Sequence, residues 1–325
     1  MDERKYSISS VQLFFILFSY VFSGLFIYSD GVFFPVILTC IFLASMCVVA
    51  RLITNGFDSS KEFFSSVFGK TAPVLRIICA VFVSFSLIGT LFEFSNDVSL
   101  VYGGNISVVF IVVTGIAVFS VWNGFYRAAR FSELCLFSVL SILLVSLFSG
   151  GGGKFDFSFD TSAVMSSFDC IGNVAVIFSL YLSCITKKDE NMSEFMRNGS
   201  FHPSPLASGI IAVFSAGILY IFVNLMAMSG ENLLISFFSW FLSVTRIFAF
   251  SLCICDLCGI PQRISSGEKR KGVFLTAVLF IFSILVYGYV PSGIILESET
   301  VFDLIFPCAV FAFLILKGVA QKDNA

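Results

Sequence analysis

Arg246 stands inside an apolar run, Ser243-Val244-Thr245-Arg246-Ile247-Phe248. If that run crosses a membrane, the charge costs at least about 2.5–3.5 kcal/mol there. It must then face a bundle interior and pair with an acid or with backbone carbonyls, hold an anionic substrate group, or snorkel about 12 Å back to the headgroups. Asp256, Glu93 and Asp169 are the acids within reach of such a pairing. Asp169 opens another apolar run beside Gly172 and Asn173. Its carboxylate suits a cation or an amine as a ligand, and suits a helix N-cap equally. Gly weakens a helix by about 1 kcal/mol relative to Ala, and backbone can leave the helix where a cavity replaces lipid. The N–H groups and half-helix dipoles so freed bind a carboxylate or a cation. The first apolar run carries Ser19, Ser23 and Gly24 in its middle and outer half. Ser23, Gly24, Gly172, Asn173 and Arg246 are therefore the candidate substrate-binding positions, although small residues also serve close helix packing.

Arg130 and Glu133 stand three apart at a helix start, where an i,i+3 ion pair forms easily. They anchor a loop at headgroup level or, with Asp169, form part of an ion site or an inner gate. Glu93, Asn96 and Asp97 cluster beyond another apolar run, as a solvated loop or a cation-attracting vestibule.

Other patterns fail on inspection. Cys253, Cys255, Asp256 and Cys258 form a short C-x-C-D-x-x-C string with no second ligand pair elsewhere, so no metal site is expected. Gly150-Gly151-Gly152-Gly153-Lys154 is followed by Phe155 rather than Ser or Thr, and no strand precedes it, which rules out a phosphate loop. With His202 as the one histidine, no Ser–His–acid set can be built. The sequence points to no enzyme, no cofactor and no nucleic-acid partner, since no basic block tracks phosphates.

The elements that must position these residues are membrane helices. The chain is 58% hydrophobic and only 12% charged, against about 45–50% and 25% in globular domains, and its mean hydropathy is +0.98. Lipid accepts that surface and water does not. The ten cysteines sit mostly inside apolar runs, where a free thiol behaves as a small hydrophobe. About ten stretches have the length of a spanning helix: 8–28, 32–50, 72–92, 106–122, 131–149, 166–185, 205–228, 233–255, 272–290 and 300–316. The first is too long for a signal-peptide core and lacks a small-residue cleavage site. If the N-terminus is cytoplasmic, every one of the 19 Lys and Arg except Lys154 and Arg246 falls on the inner side. That bias places both termini in the cytoplasm.

Ten spans divide into two sets of five, and because five is odd the second set enters the membrane from the opposite side. This is an inverted-topology repeat of the LeuT-like kind, whose site lies near the midplane around the opening helix of each half. Residues 1–149 form the first five-helix repeat, 150–165 an outer Gly-rich linker, and 166–325 the second repeat.

Two segments carry a family resemblance. Ile8-Ser9-Ser10-Val11-Gln12-Leu13-Phe14-Phe15 resembles the opening of the spore germination permeases, the B subunits of nutrient germinant receptors. Gly124, Ala129, Arg130 and Glu133 match that family's pattern of a Gly, then Ala-Arg, then a Glu three residues on, while Tyr126 stands where the family often has an acid. The resemblance implies the amino acid–polyamine–organocation superfamily fold and a small nutrient ligand such as an amino acid. It also implies a membrane-anchored A subunit and a lipoprotein C subunit as partners, and residence among lipids of the spore inner membrane or bacterial plasma membrane. A Na⁺- or H⁺-coupled amino-acid transporter of the same superfamily, and a structural membrane subunit without a ligand, are the alternatives.

Overall fold

The computed structural model describes residues 8–28, 33–54, 57, 60–102, 106–148, 174–184, 204–226 and 233–258, with scattered helical positions between 270 and 305. The helices are α1 (Ser10–Tyr28), α2 (Phe33–Thr54), α3 (Ser60–Phe68), α4 (Ala72–Tyr102), α5 (Ile106–Phe148), α6 (Val174–Leu182), α7 (Pro205–Met226) and α8 (Leu233–Leu257).

The start of α1 is written into Ser9-Ser10-Val11-Gln12. The Gln12 amide donates to the Ser9 hydroxyl at 3.2 Å, and the Ser9 amide donates back to Gln12 Oε1 at 3.0 Å. This capping box satisfies two donors that a helix start leaves open. Just before it, the Ile8 amide donates to the Ser183 carbonyl at 3.1 Å, and Ile8 bridges Cys184 in parallel pairing. The beginning of α1 is thereby tied to the end of α6.

α8 packs on α5, α4 and α1, while α1 lies between α7 and α8, and α2 lies against α7 and α6. All nine residues of α6 are buried, as befits a helix that is apolar all round. α8 is buried almost continuously from Leu242 to Cys255. The outer helices instead present bare apolar side chains, among them Leu52, Ile77, Ile111, Phe137 and Ile218, on the faces that meet lipid. Close approach of α7 to its neighbours depends on two glycines. A Cβ at Gly209 would collide with the Tyr181 hydroxyl, and one at Gly217 with the Cys40 sulfur.

Among the described residues, five helices are long and apolar enough to cross a membrane: Phe33–Thr54, Ser60–Leu91, Ala128–Val145, Pro205–Leu225 and Trp240–Leu257. Ser10–Leu25 is a shorter apolar helix. These agree with six of the expected spans. The sixth is described only from residue 174, and the ninth and tenth only at scattered positions.

Three expectations differ from the structure. The stretches 106–122 and 131–149, expected as separate spans around a basic connector, lie on the single 43-residue helix α5. No proline interrupts it, and Gly124 alone costs only about 1 kcal/mol, so nothing in 123–130 stops a helix. At about 1.5 Å per residue α5 is about twice as long as a bilayer core is thick. The expected outer loop at 93–105 is helical as far as Tyr102. The polar stretch 51–71 contains α3, which buries Ser60, Phe63, Phe64, Val67 and Phe68 on one face. Gly69, at φ +55°, then turns the chain into α4, a conformation that L side chains resist.

Candidate functional site

The α1–α8 crossing brings two of the expected site residues onto one backbone carbonyl. Arg246, 1% exposed, lies near the middle of α8, about 17–20 Å along the helix from either end. Its Nη1 donates to the carbonyl oxygen of Tyr20 at 3.3 Å, and the Ser23 hydroxyl donates to the same oxygen at 3.1 Å. The guanidinium lies 4.8 Å from the centroid of the Tyr20 ring and 5.5 Å from that of Phe250. Those rings meet edge to face at 5.5 Å. Phe250 follows Arg246 by one helical turn, so both point at α1. A guanidinium between aromatic faces gains about 2 kcal/mol or more when desolvated, which offsets much of its burial. Tyr20, Ser23 and Phe250 are each fully buried. The result is one cation held deep among rings and a backbone carbonyl, able to draw an anionic group toward the crossing.

α1 runs unbroken through Ser23 and Gly24, so the expected backbone departure is not present there. The buried Ser23 hydroxyl and the buried Gly24 remain at the crossing through side-chain and packing contacts. Asp169, Gly172 and Asn173 lie outside the described residues. Arg130 and Glu133 form the expected ion pair at 3.0 Å on α5, with side chains 60% and 28% exposed.

Asp256, an expected partner for Arg246, belongs elsewhere. It lies about 15 Å farther along α8, where its Oδ2 accepts from the Ser179 hydroxyl at 3.3 Å. Its backbone carbonyl accepts from Arg76 Nη2 at 3.1 Å and from the Ser60 hydroxyl at 3.3 Å. A carbonyl in a last helical turn lacks an intrahelical partner, and a cation suits the negative end of the helix dipole. Arg76 and Ser60 therefore cap α8, and Ser179 joins it to α6. One turn earlier, the Cys253 thiol donates to the Ala175 carbonyl at 3.7 Å. Both contacts ascend together in sequence, so α6 and α8 run parallel. Among the described residues no three His, Cys, Asp or Glu side chains come together as a metal site.

Sequence reasoning missed Tyr20 and Phe250. The spacing Arg246 to Phe250 was a usable signal, since i,i+4 side chains share a helix face. Nothing local in the sequence tied α3, α4 and α6 to Asp256, because those partners come from 77 to 196 residues away.

The arrangement of helices is that of known transporters. The chain is similar to solved structures of the Eremococcus coleocola manganese transporter. Two of its mutants match with TM-scores of 0.53 and 0.52, and its complex with an aromatic bis-isothiourea substituted compound with 0.51. Each is 10% identical and covers 94% of this chain and 77% of the transporter. At that identity the likeness shows the fold. No family model and no curated protein matches the chain. The apolar helices, taken with this fold, make this an integral membrane protein.

Proposed function

We propose that this chain is the permease-like membrane subunit of a spore germinant receptor, binding a small nutrient such as an amino acid near the bilayer midplane. The observation that carries the ligand is Arg246, a fully buried cation at the middle of α8 against the Tyr20 carbonyl. An amino-acid carboxylate is the natural counter-group for it, with Ser23 and Gly24 on the α1 side and Gly172, Asn173 and Asp169 on the opening helix of the second half. The bond that ties the start of α1 to the end of α6 fits a LeuT-like five-plus-five inverted repeat, in which these are the opening helices of the two halves. Resemblance of the N-terminal and Gly124–Glu133 segments to the germination permeases supports the receptor role, with A and C subunits as partners.

A second reading is secondary amino-acid transport coupled to Na⁺ or H⁺, favoured by the likeness to a transporter fold. One experiment separates the readings. The full chain in nanodiscs is heated with each of the twenty amino acids, and uptake is measured in proteoliposomes. A ligand at 100 times its Kd stabilises by about 2.7 kcal/mol, a readily measured shift. A shift without uptake, in a chain encoded beside A and C subunit genes, supports the receptor, and a shift with uptake supports the transporter. No shift with any amino acid refutes both and leaves a structural subunit.

A further inference from the structure

A cavity of about 230 Å³ opens between α1, α5 and α7. Its α1 wall is Phe14, Phe15, Phe18 and Ser19, on the side of that helix opposite to Tyr20 and hence to Arg246. The floor is buried: Phe18, Ser19, Ser132 and Val139. The rim, including Phe14 and Ser215, is half-buried and gives access. Phe18 is fixed by stacking on Phe14 at 5.9 Å and on Phe22 at 5.7 Å, so the aromatic wall is preformed.

The hydroxyls distinguish this cavity from a packing defect. Several buried serines in these helices bond to the carbonyl one turn earlier, as Ser84 does at 2.6 Å, Ser132 at 3.0 Å and Ser251 at 2.8 Å, while the Ser208 hydroxyl has no partner among the described residues. Ser19 is 1% exposed and lines the cavity, yet its hydroxyl makes no hydrogen bond to any described residue. The Ser215 hydroxyl, across the cavity, makes none to described residues either. A buried hydroxyl without a partner is unfavourable, and a bound polar group relieves it. Among the described residues no charged side chain lines the space, which favours a neutral ligand. An apolar cavity of about 150 Å³ accepts benzene, so this one has room for a ring with small substituents. Phenylalanine walls favour an aromatic guest in offset or edge-on contact.

We propose that this cavity binds a small neutral aromatic molecule bearing one hydroxyl, a phenol or aromatic alcohol that reaches it from the bilayer and hydrogen-bonds to Ser19 and Ser215. The site is independent of the amino-acid reading and stands or falls without it.

The test uses 4-fluorophenol and 4-fluorotoluene as probes of the full chain in nanodiscs, followed by fluorine NMR and corrected for partitioning into empty nanodiscs. Saturable binding of the phenol at least about tenfold tighter than the toluene is expected, the worth of roughly one hydrogen bond. Ser19→Ala should remove that preference while leaving the toluene affinity unchanged. Ser215→Leu should fill the cavity and abolish both, with Leu219→Phe as the second filling variant should the first not fold. Ser141→Ala, whose hydroxyl bonds to Phe137 on the exposed side of α5, should change neither. Equal affinities for the two probes, a preference that survives Ser19→Ala, or binding insensitive to both filling variants would overturn the proposal. So would displacement by long-chain alkanes alone, which would mark a groove for lipid tails.

Discussion

Replacing Arg246 by Met separates a ligand-binding cation from a structural one, because one role predicts a loss of affinity and the other a loss of stability. Met keeps the length and most of the volume of the side chain, so no large cavity forms. The fold loses a cation–π contact to Tyr20 and Phe250, worth about 2 kcal/mol, and a charge-assisted bond to the Tyr20 carbonyl at 3.3 Å, worth about 1.5–3 kcal/mol. It regains the cost of a charge at mid-span, about 2.5–3.5 kcal/mol. The losses exceed the gain by at most about 2.5 kcal/mol, so the melting temperature of Arg246→Met should fall modestly, whereas Arg246→Ala adds a cavity and should fall further. Binding has no such compensation. A charge-assisted bond to a carboxylate, at about 1.5–3 kcal/mol, corresponds to a Kd weakened by about 10- to 150-fold. Arg246→Lys should also weaken binding, because an ammonium lacks the planar fork and stacks poorly between two rings. The assay is thermal unfolding and amino-acid binding on the same nanodisc preparations. A wild-type Kd in Arg246→Met refutes the carboxylate assignment. A loss of about 3–5 kcal/mol in stability, as when one member of a buried ion pair is removed, assigns Arg246 to the fold instead.

Three further expectations follow from packing and pairing. Gly209→Ala should destabilise by about 1–3 kcal/mol through overpacking against the Tyr181 hydroxyl, and Tyr181→Phe in the same chain should recover part of the lost melting temperature. Because the Arg130–Glu133 pair is exposed, a double-mutant cycle should give a coupling below about 1 kcal/mol that falls with salt. A larger coupling that disappears on ligand binding would revive the gate. Asp256→Ala should lower stability by about 1–2 kcal/mol through the lost Ser179 bond, with Asp256→Asn milder because the amide oxygen still accepts. The same thermal scans report both.

Where the spans fall was legible wherever apolar length decided it. The helices at 33–54, 205–226 and 233–257 follow from run length and from their terminating polar residues. The connector at 123–130 was misread because basic residues resemble a loop, although Arg and Ala are good helix formers. A continuous α5 depends on tertiary packing against α8 and α4, which hydropathy does not encode. α3 was hidden for a similar reason: its polar face dominates the composition of 51–71, and only the pairs Phe63-Phe64 and Val67-Phe68 reveal the buried side. Arg246 was visible at once as a charge in an apolar run, but its setting between two rings was not. Carbonyl acceptors leave no trace in a sequence, since every residue has one.

α8 is the helix that ties α1, α3, α4 and α6 together by hydrogen bonds. At its middle, Arg246 holds α1 through Tyr20. About 15 Å on, Asp256 holds α6 through its carboxylate, and α3 and α4 through its carbonyl. α1 and α6 are also joined directly, from Ile8 to Ser183. These links form a closed triangle of α1, α6 and α8, with each side made by a hydrogen bond rather than by apolar contact alone. Apolar contacts slide at little cost, whereas a buried hydrogen bond must break before the groups move apart. On the proposed function, a ligand carboxylate at Arg246 would compete with the Tyr20 carbonyl for the guanidinium, weakening one side of the triangle and leaving the other two intact. α1 would then be released from α8 while remaining tied to α6, and that is a concrete route from binding to a change between the two halves.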